Sequence, residues 1–413
     1  MTGAAPVKPR VLLLVPARTY RAADFLLAAT RMGLDLVIGS DGALPLGGRP
    51  VIPASPADPG RSASLITARC GPVDAVIAAD TPMLELAAAV AARLGLPHNP
   101  AGAIRDAADK ARQRQRWAAA GVPQPRFEIV PAATDDAVRR ASMSVGFPCV
   151  VKAVSLSASQ GILRADDAAA AVTAARRIRK VLSDARRPDR EPLLIEEYLP
   201  GPEISIDGLV TGDGLTVTAV FDKPATPDGP TFEETLLVTP SQLPGPVLAS
   251  AIATAGQAAR ALGLTCGPVH AELRIDSRGS QPRPAMLELA ARSIGGLCSR
   301  TLGFPGGRTL EELIVASALG QPVPASHAPD QATGVYMLPV PRAGVLRAVE
   351  GRDSAAAVPG ITGLTITIPV GQPVRPLPDG DRYLGFIFAA AATRHEVKQA
   401  LTTARNQLRV SIE

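Results

Sequence analysis

Residues 269–296 read VHAELRIDSRGSQPRPAMLELAARSIGG. Two apolar runs flank a stretch rich in Gly, Pro and Ser, which predicts a β-hairpin. Each run carries one acid, Glu272 and Glu288. A carboxylate in a sheet core is costly unless a cation or donor meets it. Two acids on neighbouring strands, with Arg292 four residues beyond the second, suit Mg²⁺ held by a few carboxylates plus substrate phosphates. The competing reading puts both acids on the wet face of a surface hairpin, because period alone does not fix which face of a strand is buried.

Further pieces lie upstream. FPCVVKAV (147–154) reads as a buried strand carrying Lys152, and a buried ammonium needs an anion. SLSASQG (155–161) follows. Its small side chains let backbone N–H groups close on a phosphate, with hydroxyls such as those of Ser157 and Ser159 adding donors before Gly161. No G-K-[ST] follows, so it is not a Walker loop, and taken alone it is a hairpin turn. LLIEEYL (193–199) is a buried strand ending in Glu196 and Glu197. Asp109-Lys110 falls inside a helix predicted from Ala101 to Ala119.

In this order the pieces resemble the ATP-grasp ligases. Within that superfamily the chain is similar to the carboxylate–amine ligases that include bacterial L-amino acid ligases. The stretches DGPTFEETLLVTPS (228–241), LELAARSIGGLCSRTL (287–302) and YLGFIFA (383–389) carry that closer likeness. The resemblance covers nearly the whole chain and implies ATP and Mg²⁺, with Mn²⁺ able to stand in. It implies that Lys110 and Lys152 meet the phosphates, and that Glu196, Glu197 and Leu199 line the base. Glu203 would meet the ribose hydroxyls, where the plain alternative is an exposed acidic turn. Glu272 and Glu288 would hold the metal. Arg292 suits a developing acyl phosphate, since guanidinium bridges phosphate oxygens bidentately. The loop of Ser293, Gly295 and Gly296 would hold a substrate carboxylate, or is a simple turn. Glu234, with Glu233 close behind, would meet a substrate amino group. His270 shares a strand face with Glu272 by period 2, and would orient substrate or act as a base, or is a packed strand histidine. Such ligases usually show Glu-x-Asn at the second acid. Here Glu288-Leu289-Ala290 lacks the Asn, which puts one metal ligand in doubt.

Composition narrows the classes. A chain of 413 residues implies about two to four domains. Hydrophobic residues make up 46%, enough for globular cores, while 3% aromatics argues against a stacking surface for nucleic acid. The net charge is +5, and the basic cluster at 176–180 reads as a solvated helix face. Cys70, Cys149, Cys266 and Cys298 show no CxxC spacing, and the four histidines are scattered, which argues against a zinc site or a disulfide scaffold. No run approaches ~20 apolar residues, so no membrane span is expected, and cytoplasm is the default. No nucleic-acid or membrane partner is expected, only small-molecule carboxylate and amine substrates and a homodimer.

Strand and helix signals alternate over 10–103, which predicts a parallel sheet with helices on its faces. No G-x-G-x-x-G follows the first strand, so dinucleotide binding there is not expected. The fold class is α/β and α+β: an ATP-grasp fold with a Rossmann-like N-terminal domain (1–103), a lid with its linking helix (104–204), a catalytic antiparallel sheet (205–326) and a strand-rich C-terminal domain (327–413), with a linker near 325–331. The expected reaction activates a carboxylate with ATP to an acyl phosphate, which an amine attacks to give an amide, ADP and phosphate. The alternatives are an ATP-grasp carboxylase or purine-pathway ligase, or a non-catalytic nucleotide-binding regulator of the same fold.

Overall fold

The computed structural model describes residues 8–43, 50–131, 134–188, 190–224, 229–324 and 331–413. β1 (Arg10–Val15) reads RVLLLV and buries nearly every side chain, as a strand covered on both faces must. It is followed by α1 (Ala22–Arg31), β2 (Asp35–Ser40), β3 (Val51–Pro53), α2 (Pro59–Cys70), β4 (Ala75–Ala78) and α3 (Leu84–Leu94). The strands form a parallel sheet in the order β3-β2-β1-β4.

The helix expected over Ala101–Ala119 is two helices, α4 (Ala101–Ala107) and α5 (Lys110–Ala119). Asp109 takes an extended backbone between them, and its carboxylate accepts the Arg112 N–H at 3.0 Å. That N-cap satisfies an end group of α5 and outweighs the helical propensity of the surrounding alanines.

The lid comprises β5 (Phe127–Val130), α6 (Asp135–Val145), β6 (Cys149–Ala153), β7 (Ile162–Ala165), α7 (Ala168–Asp184) and β8 (Leu193–Glu197). Its antiparallel order is β5-β8-β6-β7. Val151, Leu163 and Ile195 turn one face toward α6 and α7, packing on Val138, Ile178 and Val181. Alternation turns Val150 and Lys152 to the other face, over the catalytic sheet.

That sheet contains β9 (Glu203–Thr211), β10 (Gly214–Asp222), β11 (Leu236–Thr239), β12 (Gly267–Asp276), β13 (Arg283–Ala290), β14 (Ala332–Leu338), β16 (Ile361–Ile366) and β18 (Gly385–Ala391), in the order β13-β12-β9-β10-β11-β14-β18-β16. One sheet therefore runs across position 326. Residues 325–330 of the expected linker lie outside the described residues. α8 (Gly245–Ala261) covers one face of the sheet. On the other, α9 (Leu310–Ala318) and the N-terminal sheet share a core with it, Val11, Leu13 and Ile77 joining Phe221, Leu313 and Phe386. β15 (Gly344–Glu350), β17 (Pro373–Val374) and β19 (Arg409–Ile412) form a small outer sheet, with α10 (Arg352–Ala356) and α11 (Arg394–Gln407). Among the described residues no helix is long and apolar enough to cross a membrane.

Candidate active site

β12 and β13 pair antiparallel and set Glu272 opposite Glu288, with a bulge just after Glu272. A bulge re-aims side chains at a strand's functional edge. The two side chains are 23% and 26% exposed, so they belong neither to a closed core nor to a wet outer face. They line a cleft between lid and sheet. Val150, Ile162, Leu199 and Leu287 give it an apolar part, and Lys152, Glu203 and Glu234 join the acids in its polar part.

Cations come from the lid side. Lys152 Nζ lies 2.6 Å from Glu196, whose other oxygen accepts from Arg114 Nε at 2.5 Å. Glu196 is buried; burial would raise its carboxyl pKa, but Arg114 and Lys152 more than offset this and hold it low. Lys110 donates to Leu156 O at 2.6 Å and pairs with Glu288 at 3.1 Å. Glu197 faces outward to Arg126 and Arg278 while still bordering the cleft with Leu199. In the loop after β6, Ser157 is exposed, Ala158 and Ser159 take left-handed backbone (φ 56° and 57°), and Gly161 follows at φ 65°.

The sheet side gathers acids around a cation that sequence reasoning missed. Lys223 follows β10 and is buried. Its ammonium lies 3.0 Å from Glu203 and 3.2 Å from Glu272, and also pairs with Glu234. Lys223 sits at the exit of a buried strand, TAVFD, the same cue that singled out Lys152. Glu203 also pairs with Arg274 at 3.1 Å, so it is no exposed turn acid. Burial pushes the Glu234 carboxyl up to about 7, whereas Lys223 and His270 hold Glu272 well below the usual range against its burial. Glu203, Glu234 and Glu272 each offer an oxygen within 4.8 Å of the others. With Glu288 added, four acids gather here, met by Lys223, Lys110, Arg274 and His270, and their carboxylate oxygens are the hard donors that fit Mg²⁺. Ala290 adds no side-chain donor beside Glu288.

His270 does lie on the face of Glu272. Its Nε2 is 3.2 Å from that carboxylate, and its Nδ1 is 3.2 Å from buried Asp207. Burial opposes its charge, but Asp207 and Glu272 outweigh it and push the imidazole up to about 9.

Arg292 does not border the cleft. Its guanidinium donates to Thr81 Oγ1 at 3.1 Å and Ser293 O at 2.9 Å, with Asp80 at 3.8 Å. Two residues at the start of α1, both missed in the sequence, hold the same loop. Arg21 donates to Ser293 O at 2.7 Å and Ser293 Oγ at 2.9 Å, and Gly296 N–H donates to the Tyr20 hydroxyl at 2.9 Å. Gly296 has φ 63°, and a Cβ there would lie 2.8 Å from Met337 Sδ, so any other residue would be strained and would push the methionine aside. Gly295 passes under Tyr20, where a Cβ would sit 3.5 Å from the hydroxyl. The loop connects to the cleft through Asp207, which accepts Ile294 N–H at 3.0 Å and holds His270. Glu233 is half-buried, its carboxyl raised by burial.

The ATP-grasp domain family matches residues 145–301, which hold Lys152, the acids and the Arg292 loop. The L-amino acid ligase C-terminal domain 2 family matches residues 336–413. Among solved structures, the L-amino acid ligase of Bacillus licheniformis superposes with a TM-score of 0.84 at 22% identity, over 98% of this chain and all of that one. A carboxyaminoimidazole ribonucleotide synthase of Aspergillus clavatus, complexed with ATP, gives 0.75 at 16% identity, over 97% of this chain and 99% of that one. In sequence, carnosine synthase 1 of Gallus gallus is 30% identical over 285 residues, 64% of this chain and 30% of the relative. The chain spans between 30% and 60% of the length of the first curated relatives it matches. The chain thus has the ATP-grasp fold, with an ATP-grasp domain over residues 145–301. Residues 336–413 match the L-amino acid ligase C-terminal domain 2 family, and nearly the whole chain shares the fold of an L-amino acid ligase.

Proposed function

We propose that the protein is an ADP-forming carbon–nitrogen ligase that joins a carboxylate to an amine, on amino-acid-like substrates, through an acyl phosphate. The observation that carries this reading is the opposition of charge across one cleft, lysines on the lid side and acids on the sheet side. Lys152 and Lys110 bind and orient ATP phosphates, with N–H groups of the 155–161 loop closing over them. Val150, Leu199 and Leu287, which line the cleft, receive the base beside Glu196 and Glu197, and Glu203 meets the ribose hydroxyls. Glu272 and Glu288 would hold Mg²⁺, which offsets charge on the transferring phosphoryl group. Ser293, Gly295 and Gly296 hold the carboxylate, Arg292 turns from Thr81 to the acyl phosphate, and Glu234 with Glu233 receives the ammonium of the second substrate. A closed lid excludes water that would hydrolyse the acyl phosphate. Cytoplasmic operation, a homodimer and Mn²⁺ in place of Mg²⁺ belong to the same reading, as does a four-part division, though 204 falls inside β9 and one sheet spans 326.

The test is a screen of carboxylates crossed with amines, scored by phosphate release and by mass detection of product. ADP release that needs both partners and yields an amide is expected. AMP and pyrophosphate as products would refute the phosphoryl mechanism.

A further inference from the structure

The turn from Arg375 to Gly380 lies in the C-terminal domain, yet its hydrogen bonds go to the lid. Pro378 O accepts the N–H of Gly161, the last residue of the phosphate-facing loop, at 3.1 Å. Asp379 O accepts from the Gln160 side chain at 3.0 Å. The Asp379 carboxylate takes both Nε and Nη2 of Arg177 on α7, at 3.1 and 2.8 Å, and Arg375 pairs with Asp184 at 2.7 Å. The turn is stiff. Gly380 N–H donates back to Pro376 O at 2.9 Å, and a Cβ on Gly380 would meet Arg375 O at 2.0 Å.

Three residues further on, the Tyr383 hydroxyl accepts the N–H of Glu234 at 3.2 Å. One short stretch thus touches the nucleotide side of the cleft at one end and the candidate amine acid at the other. The segment bearing Glu234 meets the lid a second time, where Arg164 N–H donates to Pro230 O at 2.9 Å and Phe232 stacks on Tyr198 with ring centroids 6.3 Å apart.

We infer that residues 375–383 form a strap that ties closure of the 155–161 loop to the position of Glu234, with Asp379 and Tyr383 as its two positioning residues. Building on the ligase reading, it makes the lid hold shut best when the amine acid is in place, so that acyl phosphate is sheltered until the amine is present. Hydrogen bonds in a strap of this kind transmit position through two discrete arrangements, latched and unlatched.

The experiment uses the full chain carrying Asp379→Ala, Arg177→Ala, the double change, Asp379→Glu and Tyr383→Phe. Hydrogen exchange of the 155–161 amides is followed with a non-hydrolysable ATP analogue bound. Exchange should be at least about threefold faster in either alanine variant, no faster still in the double, and partly restored by Asp379→Glu. Unchanged exchange would overturn the strap whether or not the protein is a ligase. With a substrate pair active in the wild type, the alanine variants should make two- to fivefold less amide per ADP released, and Tyr383→Phe should raise KM for the amine while leaving KM for ATP in place. A coupling ratio equal to wild type in all variants would also overturn it. A wild type whose ADP release needs no amine would instead sink the ligase reading, leaving the strap to be judged by exchange.

Discussion

The two sides of the cleft are built from inverted ion clusters. On the lid side one buried acid, Glu196, is held between two cations, Arg114 and Lys152. On the sheet side one buried cation, Lys223, is held among three acids, Glu203, Glu234 and Glu272. Buried charge is tolerated only when paired, so each side carries enough counter-charge to fold. The lid cluster keeps a positive surplus, suited to phosphates. On the sheet side Arg274 and His270 also meet Glu203 and Glu272, so the contrast there is one of kind: several carboxylate oxygens, hard donors suited to a divalent ion, gathered round cations that are already engaged.

Four experiments would break or sharpen that contrast. The largest effect is expected from Glu272→Gln, which should leave ATP bound but lower turnover roughly 10²–10³-fold, with Glu288→Gln similar. A coupled ADP assay beside calorimetric titration decides it, and near-native rates at saturating Mg²⁺ in both would remove the acids from the chemistry. Next comes Lys152→Met. It should weaken ATP binding at least tenfold, and it should also destabilise the fold, by about 2–3 kcal/mol, because Glu196 keeps Arg114 but loses its other buried partner. A melting curve unchanged from wild type would show that the pair is not needed for folding.

A smaller effect concerns pH in the metal-free protein. The folded state raises His270 from 6.5 to about 9. Its stabilisation is therefore complete below pH 6.5 and lost as pH rises through about 9. Tm measured in a chelating buffer should fall by a few degrees across that window, and His270→Asn should flatten the slope. An equally steep slope in the variant would assign it to other groups. The smallest effect is expected at the outer end of β8. Arg278→Ala removes one of two half-exposed partners of Glu197 and should cost less than about 1 kcal/mol in denaturant melts. A larger loss would mean that the outer face is as tightly coupled as the cleft.

Local patterns made much of this legible. The hairpin, the Lys152 strand and the alternating N-terminal units all announce themselves as apolar runs with breakers at their ends, and the resemblance then carries the fold. β3 and α2 went unread because a three-residue strand leaves no period to detect and α2 opens on a Pro-Gly pair that reads as loop. The break at Asp109 was visible as a capping residue, but the alanine-rich flanks drowned it. Lys223 was hidden for another reason. Its cue matched that of Lys152, yet its partners come from three separate segments. The bonds from Tyr20 and Arg21 to the Ser293–Gly296 loop span more than 270 residues and have no local trace. The same contacts explain Arg292, whose chemistry was readable but whose resting direction is set by Asp80 and Thr81 of another domain.

The short helix released by that break works as a tie. Lys110 N–H is bonded to Val154 O of the lid at 3.0 Å, the Gln113 amide bonds both the N–H and the C=O of Leu289, and Arg114 reaches Glu196 on one side and Leu287 O on the other. α5 is thus riveted to the lid sheet and to β13 along the same few turns. The same helix also holds the 155–161 loop, since Lys110 Nζ donates to Leu156 O and pairs with Glu288 of β13. A disturbance at α5 would therefore be felt at once in the lid sheet, in that loop and in β13, through ten residues that belong to neither sheet.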